Sequence, residues 1–182
     1  MAFEGAKEIA SGEGERHLKR LYLLRHTKAD WSLDVIHDRD RPLAERGEED
    51  ARLVGSFLTS LGQIPDEVLA STAVRARETA RHASEGGEWK TEIRTSDDLY
   101  DAPPWKIFRQ VRQQPNELES LLLVFHEPTC SETLSDLVGH VSVKMPTGAL
   151  ARIDLSVEDW DEVEPGAGTL AWIVTPKILR KA

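Results

Sequence analysis

A layered α/β fold, with helices on both faces of a mostly parallel central sheet, is predicted by three observations. The runs Leu21-Tyr22-Leu23-Leu24 and Leu121–Phe125 are continuously apolar, the pattern of strands buried on both faces. Segments with apolar residues at helical spacing lie between the short apolar runs, so strands alternate with helices. The 182 residues suit one domain, with enough chain to bury about 70% of its extended surface.

The elements follow in order. Residues 1–17 are Glu- and Gly-rich, lack the apolar core of a secretory signal, and read as a mobile N-terminal tail before a single domain over 18–182. Leu18–Arg25 is the first strand, and the charged stretch Asp30–Arg41 is a loop. Pro42 to Leu61 is expected to be helical, with Ala51, Val54, Leu58 and Leu61 on one face and Gly62 at the stop. Asp66–Ala70 is a short strand, followed by a helix from Val74 to about Ser84, a turn over Glu85–Glu88 and a short strand at Thr91–Arg94. Pro103 and Pro104 open an amphipathic helix carrying Trp105, Phe108 and Val111, which must end before Pro115. Leu121–Phe125 is the next strand. Pro128 starts a helix with Leu134, Leu137 and Val138 on one face. Leu150–Val157 and Thr169–Thr175 complete the sheet around the turn-rich Glu164–Gly168.

Composition narrows the function. Twenty-three Lys and Arg against 32 Asp and Glu give a net charge of −9, which argues against a nucleic-acid partner. No apolar stretch approaches the ~20 residues of a membrane span, and the single cysteine, Cys130, excludes an intrachain disulfide. A cytoplasmic protein is expected. Cys130 lies among helix-like residues and reads as buried filler rather than as a nucleophile.

Chemistry-bearing residues gather at strand ends. The first strand ends at Arg25-His26, the second runs into Ser71 and Arg75-Ala76-Arg77, and another ends at His126. In a doubly wound sheet the carboxyl ends of parallel strands open onto one crevice, where ligands bind. Arg25, His26, Arg75 and His126 are therefore expected to meet, with Arg75 in the first turn of its helix, where the dipole also favours an anion. Guanidinium groups fork onto phosphate oxygens, and neutral imidazole attacks phosphorus. Each residue alone has an ordinary structural explanation: a solvated helix arginine, a strand-end histidine bonded to backbone. Their conjunction at three strand ends favours one phosphate pocket. No glycine-rich P-loop competes with it, and the Asp and His spacing suggests no metal cage.

These residues sit in a longer ordered set: Leu-Leu-Arg-His-Thr-Lys (23–28), Asp-Arg-Pro-Leu (40–43) with Glu-Arg-Gly (45–47), and Ser71 through Arg75-Ala-Arg-Glu-Thr79. Leu99-Tyr-Asp101, Val124-Phe-His-Glu-Pro128 and the tail from Trp160 to Lys177 follow. The set resembles the histidine phosphatase superfamily, the phosphoglycerate mutase-like phosphatases, and most closely the SixA-type phosphohistidine phosphatases. The resemblance implies a phosphoglycerate mutase-like fold and hydrolysis through a phosphohistidine intermediate, with no metal and no cofactor. His26 would be the nucleophile, and Arg25 and Arg75 would bind the phosphoryl oxygens. His126, at least partly protonated, would add a donor, and Asp101 stands where larger relatives carry the proton donor. Asp101 has a second reading as the residue leading into the Pro-Pro helix. The substrate class implied is a phosphorylated protein, phosphohistidine above all, or a small phosphate ester.

Four positions depart from the family pattern. Thr27 replaces a Gly or Ala and is expected to add a hydroxyl to the pocket. Phe125 and Glu127 flank His126 where Gly and Asn are common, and Thr129 replaces a Gly. Glu127 has two readings: it holds His126 charged, or it repels a phosphoryl dianion. A phosphate-binding module without turnover and a phosphomutase stand as alternatives. The first rests only on Phe125 and Glu127, and the second meets a chain short of the insertions mutases carry.

Overall fold

The computed structural model describes residues 19–181; the expected tail over 1–17 lies outside them. Six strands form one sheet: β1 (Lys19–Arg25), β2 (Glu67–Ser71), β3 (Ile93–Ser96), β4 (Ser120–Phe125), β5 (Leu150–Leu155) and β6 (Gly168–Val174). Their order is β3-β2-β4-β1-β5-β6. The first four run parallel, while β5 lies antiparallel beside β1 and β6 antiparallel beside β5. The expected layered α/β class is what the chain adopts, as a mixed sheet whose parallel part holds the Arg-His and His strand ends.

Among the described residues five α-helices cover the faces: α1 (Glu45–Ser60), α2 (Val74–Gly87), α3 (Pro104–Arg112), α4 (Thr129–Leu137) and the short α5 (Pro176–Leu179). One apolar cluster joins Leu21, Leu23, Leu121, Leu123 and Phe125 to Ile107, Phe108 and Val111 of α3 and Leu134 of α4. The other joins Tyr22, Leu24, Leu122 and Val124 to Val54 and Leu58 of α1 and Ala76, Ala80 and Ala83 of α2. Alternate residues of β1 and β4 thus feed opposite cores, which is why both strands must be apolar throughout.

Close backbone approach fixes the α1–α2 pair. A Cβ built on Gly55 would stand 1.8 Å from the Ala83 carbonyl oxygen, so only glycine lets these helices touch at that crossing. Gly47 plays the same part against the Lys28 carbonyl oxygen, at 2.2 Å.

Several sequence expectations shift. α1 begins at Glu45 rather than Pro42, because Leu43 forms an antiparallel bridge with Ala29 and its N–H donates to Glu78 at 2.8 Å. α2 runs through the expected Glu85–Glu88 turn to Gly87 and ends where Glu88 enters the left-handed region at φ 55°. Trp105 is exposed; Ile107 takes its expected place on the buried face of α3.

Candidate functional site

The carboxyl ends of β1, β2 and β4 bring the predicted residues together. The His26 and His126 ring centroids are 5.1 Å apart, and Arg75 enters from the first turn of α2. Two adjoining cavities meet there. One, about 330 Å³, is lined by Arg75, Tyr100, Asp101, His126, Glu127 and Thr129, and the other, about 280 Å³, by Arg25, His26, Lys28, Trp31, Arg75 and Thr147. Asp38 lines both.

His26 is clamped by its own backbone. Its N–H donates to the Phe125 carbonyl at 3.0 Å, and its carbonyl accepts from Gly148 N–H at 3.3 Å. Its ring Nδ1 lies 2.8 Å from the Thr27 carbonyl oxygen. A carbonyl can only accept, so Nδ1 carries the hydrogen and Nε2 keeps its lone pair. Burial lowers the pKa of His26 from 6.5 to about 4, with the Arg75 and Arg25 cations pushing the same way and the Thr27 bond opposing. Near neutral pH the ring is an uncharged base with one free nitrogen.

Arg25 donates through Nη1 to the Met145 carbonyl at 3.0 Å and stands 4.0 Å from the Glu127 carboxylate, while its buried Nε has no partner among the described residues. The Arg75 side chain is 11% exposed and is held by Asp38, Nη1 on the backbone carbonyl at 2.7 Å and Nη2 on the carboxylate at 2.9 Å. Arg77, next but one, faces solvent and is not part of the site.

His126 corrects an expectation. Burial, with the neighbouring cations, drives its pKa from 6.5 to about 3, so the ring is neutral rather than partly protonated. Its Nε2 meets Ser71 Oγ at 2.8 Å, and its buried Nδ1 has no partner among the described residues. Ser71 Oγ accepts from the Ala73 N–H at 3.3 Å, which frees the hydroxyl hydrogen to donate to Nε2. In the tautomer where it does so, Nδ1 carries the ring hydrogen and a neutral His126 still offers one donor.

The departures from the family pattern are absorbed structurally. Thr27 is buried, and its hydroxyl pairs with Thr79 Oγ1 at 3.1 Å instead of adding to the pocket. Thr79 Oγ1 in turn donates to the Arg75 carbonyl at 2.7 Å, tying the residue after His26 to the helix bearing Arg75. Phe125 lies in the core. Glu127 accepts from Ser131 N–H at 3.0 Å and Oγ at 2.5 Å at the start of α4. The reading in which it holds His126 charged falls with the lowered pKa of that ring.

Asp101 reaches the same cavity as His126, in the left-handed region at φ 47°. The alternative role of Asp101 in starting the helix does not hold, since Pro103 is the N-cap of α3 and no side chain caps it. Sequence reasoning missed Asp38 and the contacts of Arg39. The latter lies 5.2 Å over the Tyr100 ring and bonds Thr72 and Asp97, and Tyr100 sets its edge against His126. The alternating acids and arginines of 38–41 were the available signal. In sequence they look like any solvated loop.

A family model described as histidine phosphatase superfamily (branch 1) matches residues 21–141. An uncharacterized protein of Mycobacterium tuberculosis is 34% identical over 85% of this chain and all of its own. The phosphohistidine phosphatase SixA of Escherichia coli is 25% identical over 90% of this chain and 98% of its own. A solved structure from Agrobacterium tumefaciens, provisionally assigned as a SixA phosphohistidine phosphatase, superposes with a TM-score of 0.74 at 29% identity, covering 87% of this chain and 98% of that one.

Proposed function

The chain belongs to the histidine phosphatase superfamily and is a phosphatase, and from that premise we propose that it works by transferring the phosphoryl group to His26. The observation that carries this reading is the bond from His26 Nδ1–H to the Thr27 carbonyl, which leaves a neutral Nε2 lone pair beside two arginines. Nε2 attacks phosphorus while the bond to the leaving atom breaks, and the positive charge arising on the ring is met by the Thr27 carbonyl. Arg25 and Arg75 hold the phosphoryl oxygens, and the His126 Nδ1–H donates to one of them. Asp101 protonates an oxygen leaving group; a protonated phosphohistidine leaves as neutral imidazole and needs no acid. Water then attacks phosphorus, giving a proton to the Asp101 carboxylate where an oxygen group has left, and the P–N bond breaks. Inorganic phosphate departs, and the lone pair returns to Nε2.

The substrate in this reading is protein phosphohistidine, with small phosphate monoesters as the competing class. Trp31 rims the cavity on the His26 side, 73% exposed and stacked by Arg41 at 4.0 Å, and Leu33 and Ile36 beside it are also exposed. Apolar footing of that kind suits a macromolecular partner. The test is a panel of phosphohistidine peptides and aryl phosphates, with the phosphoenzyme trapped by denaturation in alkaline detergent. Wild type accumulates an acid-labile phosphoryl group and His26→Ala hydrolyses neither substrate. Undiminished turnover by His26→Ala refutes the mechanism.

A further inference from the structure

We propose that Asp38 is a specificity-determining residue, a fixed carboxylate inside the phosphate site that favours phosphoryl groups attached to a cationic nitrogen over dianionic oxygen esters. The inference rests on the phosphatase reading above and deepens it.

Three observations carry it. Asp38 engages two nitrogens of Arg75, one through its backbone carbonyl and one through its carboxylate. It lines both cavities, and its charge bears on His26 and His126 alike, so it faces the place where phosphorus must sit. It is also held in place. A single turn of 3-10 helix spans Asp38–Asp40, the Arg41 N–H donates to the Asp38 carbonyl at 3.2 Å, and Arg41 Nε lies 3.3 Å from its carboxylate. Arg41 is in turn anchored on the Asp30 and Leu33 carbonyls. Because the turn is pinned, a phosphoryl group that binds Arg75 shares the guanidinium with a negative charge.

That arrangement discriminates by charge. A phosphate monoester brings two negative charges toward Asp38 and nothing to offset them. A phosphohistidine protonated on its other ring nitrogen brings a positive charge with its phosphoryl group, and the carboxylate attracts that cation and can accept a hydrogen bond from its ring N–H. When P–N breaks, the nitrogen keeps the bonding pair and leaves neutral, and no proton need come from the enzyme.

The experiment compares wild type with Asp38→Asn, which keeps the backbone contacts and the side-chain shape while removing the charge. Steady-state kinetics are measured on a phosphohistidine peptide and on p-nitrophenyl phosphate, and inorganic phosphate binding by calorimetry. In the variant, kcat/KM for the aryl phosphate rises roughly tenfold, mainly through KM, and phosphate binds roughly tenfold tighter, the change expected from about 1.4 kcal/mol. The phosphohistidine value stays level or falls, so the preference for nitrogen drops by at least that factor. Equal changes on both substrates, or weaker phosphate binding, overturn the proposal. Asp38→Ser must repeat the pattern if the Asn variant folds poorly. Should wild type hydrolyse neither substrate, the phosphatase reading fails, while the calorimetric comparison still decides whether Asp38 opposes an anion at Arg75.

Discussion

Replacing His126 by Asn should flatten the acid side of the stability curve. The folded ring titrates at about 3 and the unfolded one at 6.5, so the unfolded chain binds the proton first. Stability is therefore complete above about pH 6.5 and is lost as pH falls from there toward about 3, where the folded protein takes up the proton too. At about pH 5 the unfolded ring lies about 1.5 units below its pKa while the folded ring is still neutral, which costs about 2 kcal/mol. His126 is only 8% exposed as a residue, so solvent screening takes little from that figure. Urea unfolding of both proteins at about pH 8 and about pH 5 checks the prediction. The wild type should lose about 2 kcal/mol more than His126→Asn between the two conditions. Equal losses would show that His126 is not held neutral by burial.

The same argument applied to His26 places the acid limb of kcat/KM near pH 4 rather than 6.5; a pH–rate profile with its limb near 6.5 would contradict it. Asp101→Asn should cost about 10²-fold or more in kcat on an alkyl phosphate, and little on a nitrophenyl phosphate or a phosphohistidine, whose leaving groups need no proton. Gly55→Ala drives a methyl into the Ala83 carbonyl, and thermal unfolding should show a loss of about 3 kcal/mol, or roughly 6–12 °C in Tm, without altered KM.

Much of this molecule was legible in its sequence because burial on both faces leaves little choice of residue. The apolar runs of β1 and β4 could hardly be anything else, and polar residues at their ends had to face a crevice. That logic found Arg25, His26, Arg75 and His126; Asp101 came from the family resemblance alone. The charge state of His126 was not legible, since it depends on how deeply the ring is buried and on Ser71, 55 residues away in the chain. Asp38 escaped for a related reason. Its meaning comes from which arginine it meets, and the neighbouring Asp40 has the same local sequence context. The end of α2 was misread because Gly86 and Gly87 look like a stop, whereas Gly86 lets α2 pass close to Arg52 of α1, a Cβ there standing 2.2 Å from the Arg52 carbonyl oxygen.

The stretch from Trp31 to Arg41 leaves and rejoins the protein at one point. The Ala29–Leu43 bridge and the bonds from Asp30 N–H to Pro42 O and Ala44 N–H to Lys28 O close its base. The His26 backbone is held separately, by Phe125 and Gly148. On the reading proposed above, choice of substrate and delivery of the nucleophile are thus carried on separately held parts of the backbone. A loop transplanted between Asp30 and Pro42 would change what the enzyme accepts while leaving the reacting nitrogen where it is, which makes this segment the natural cassette for redesign.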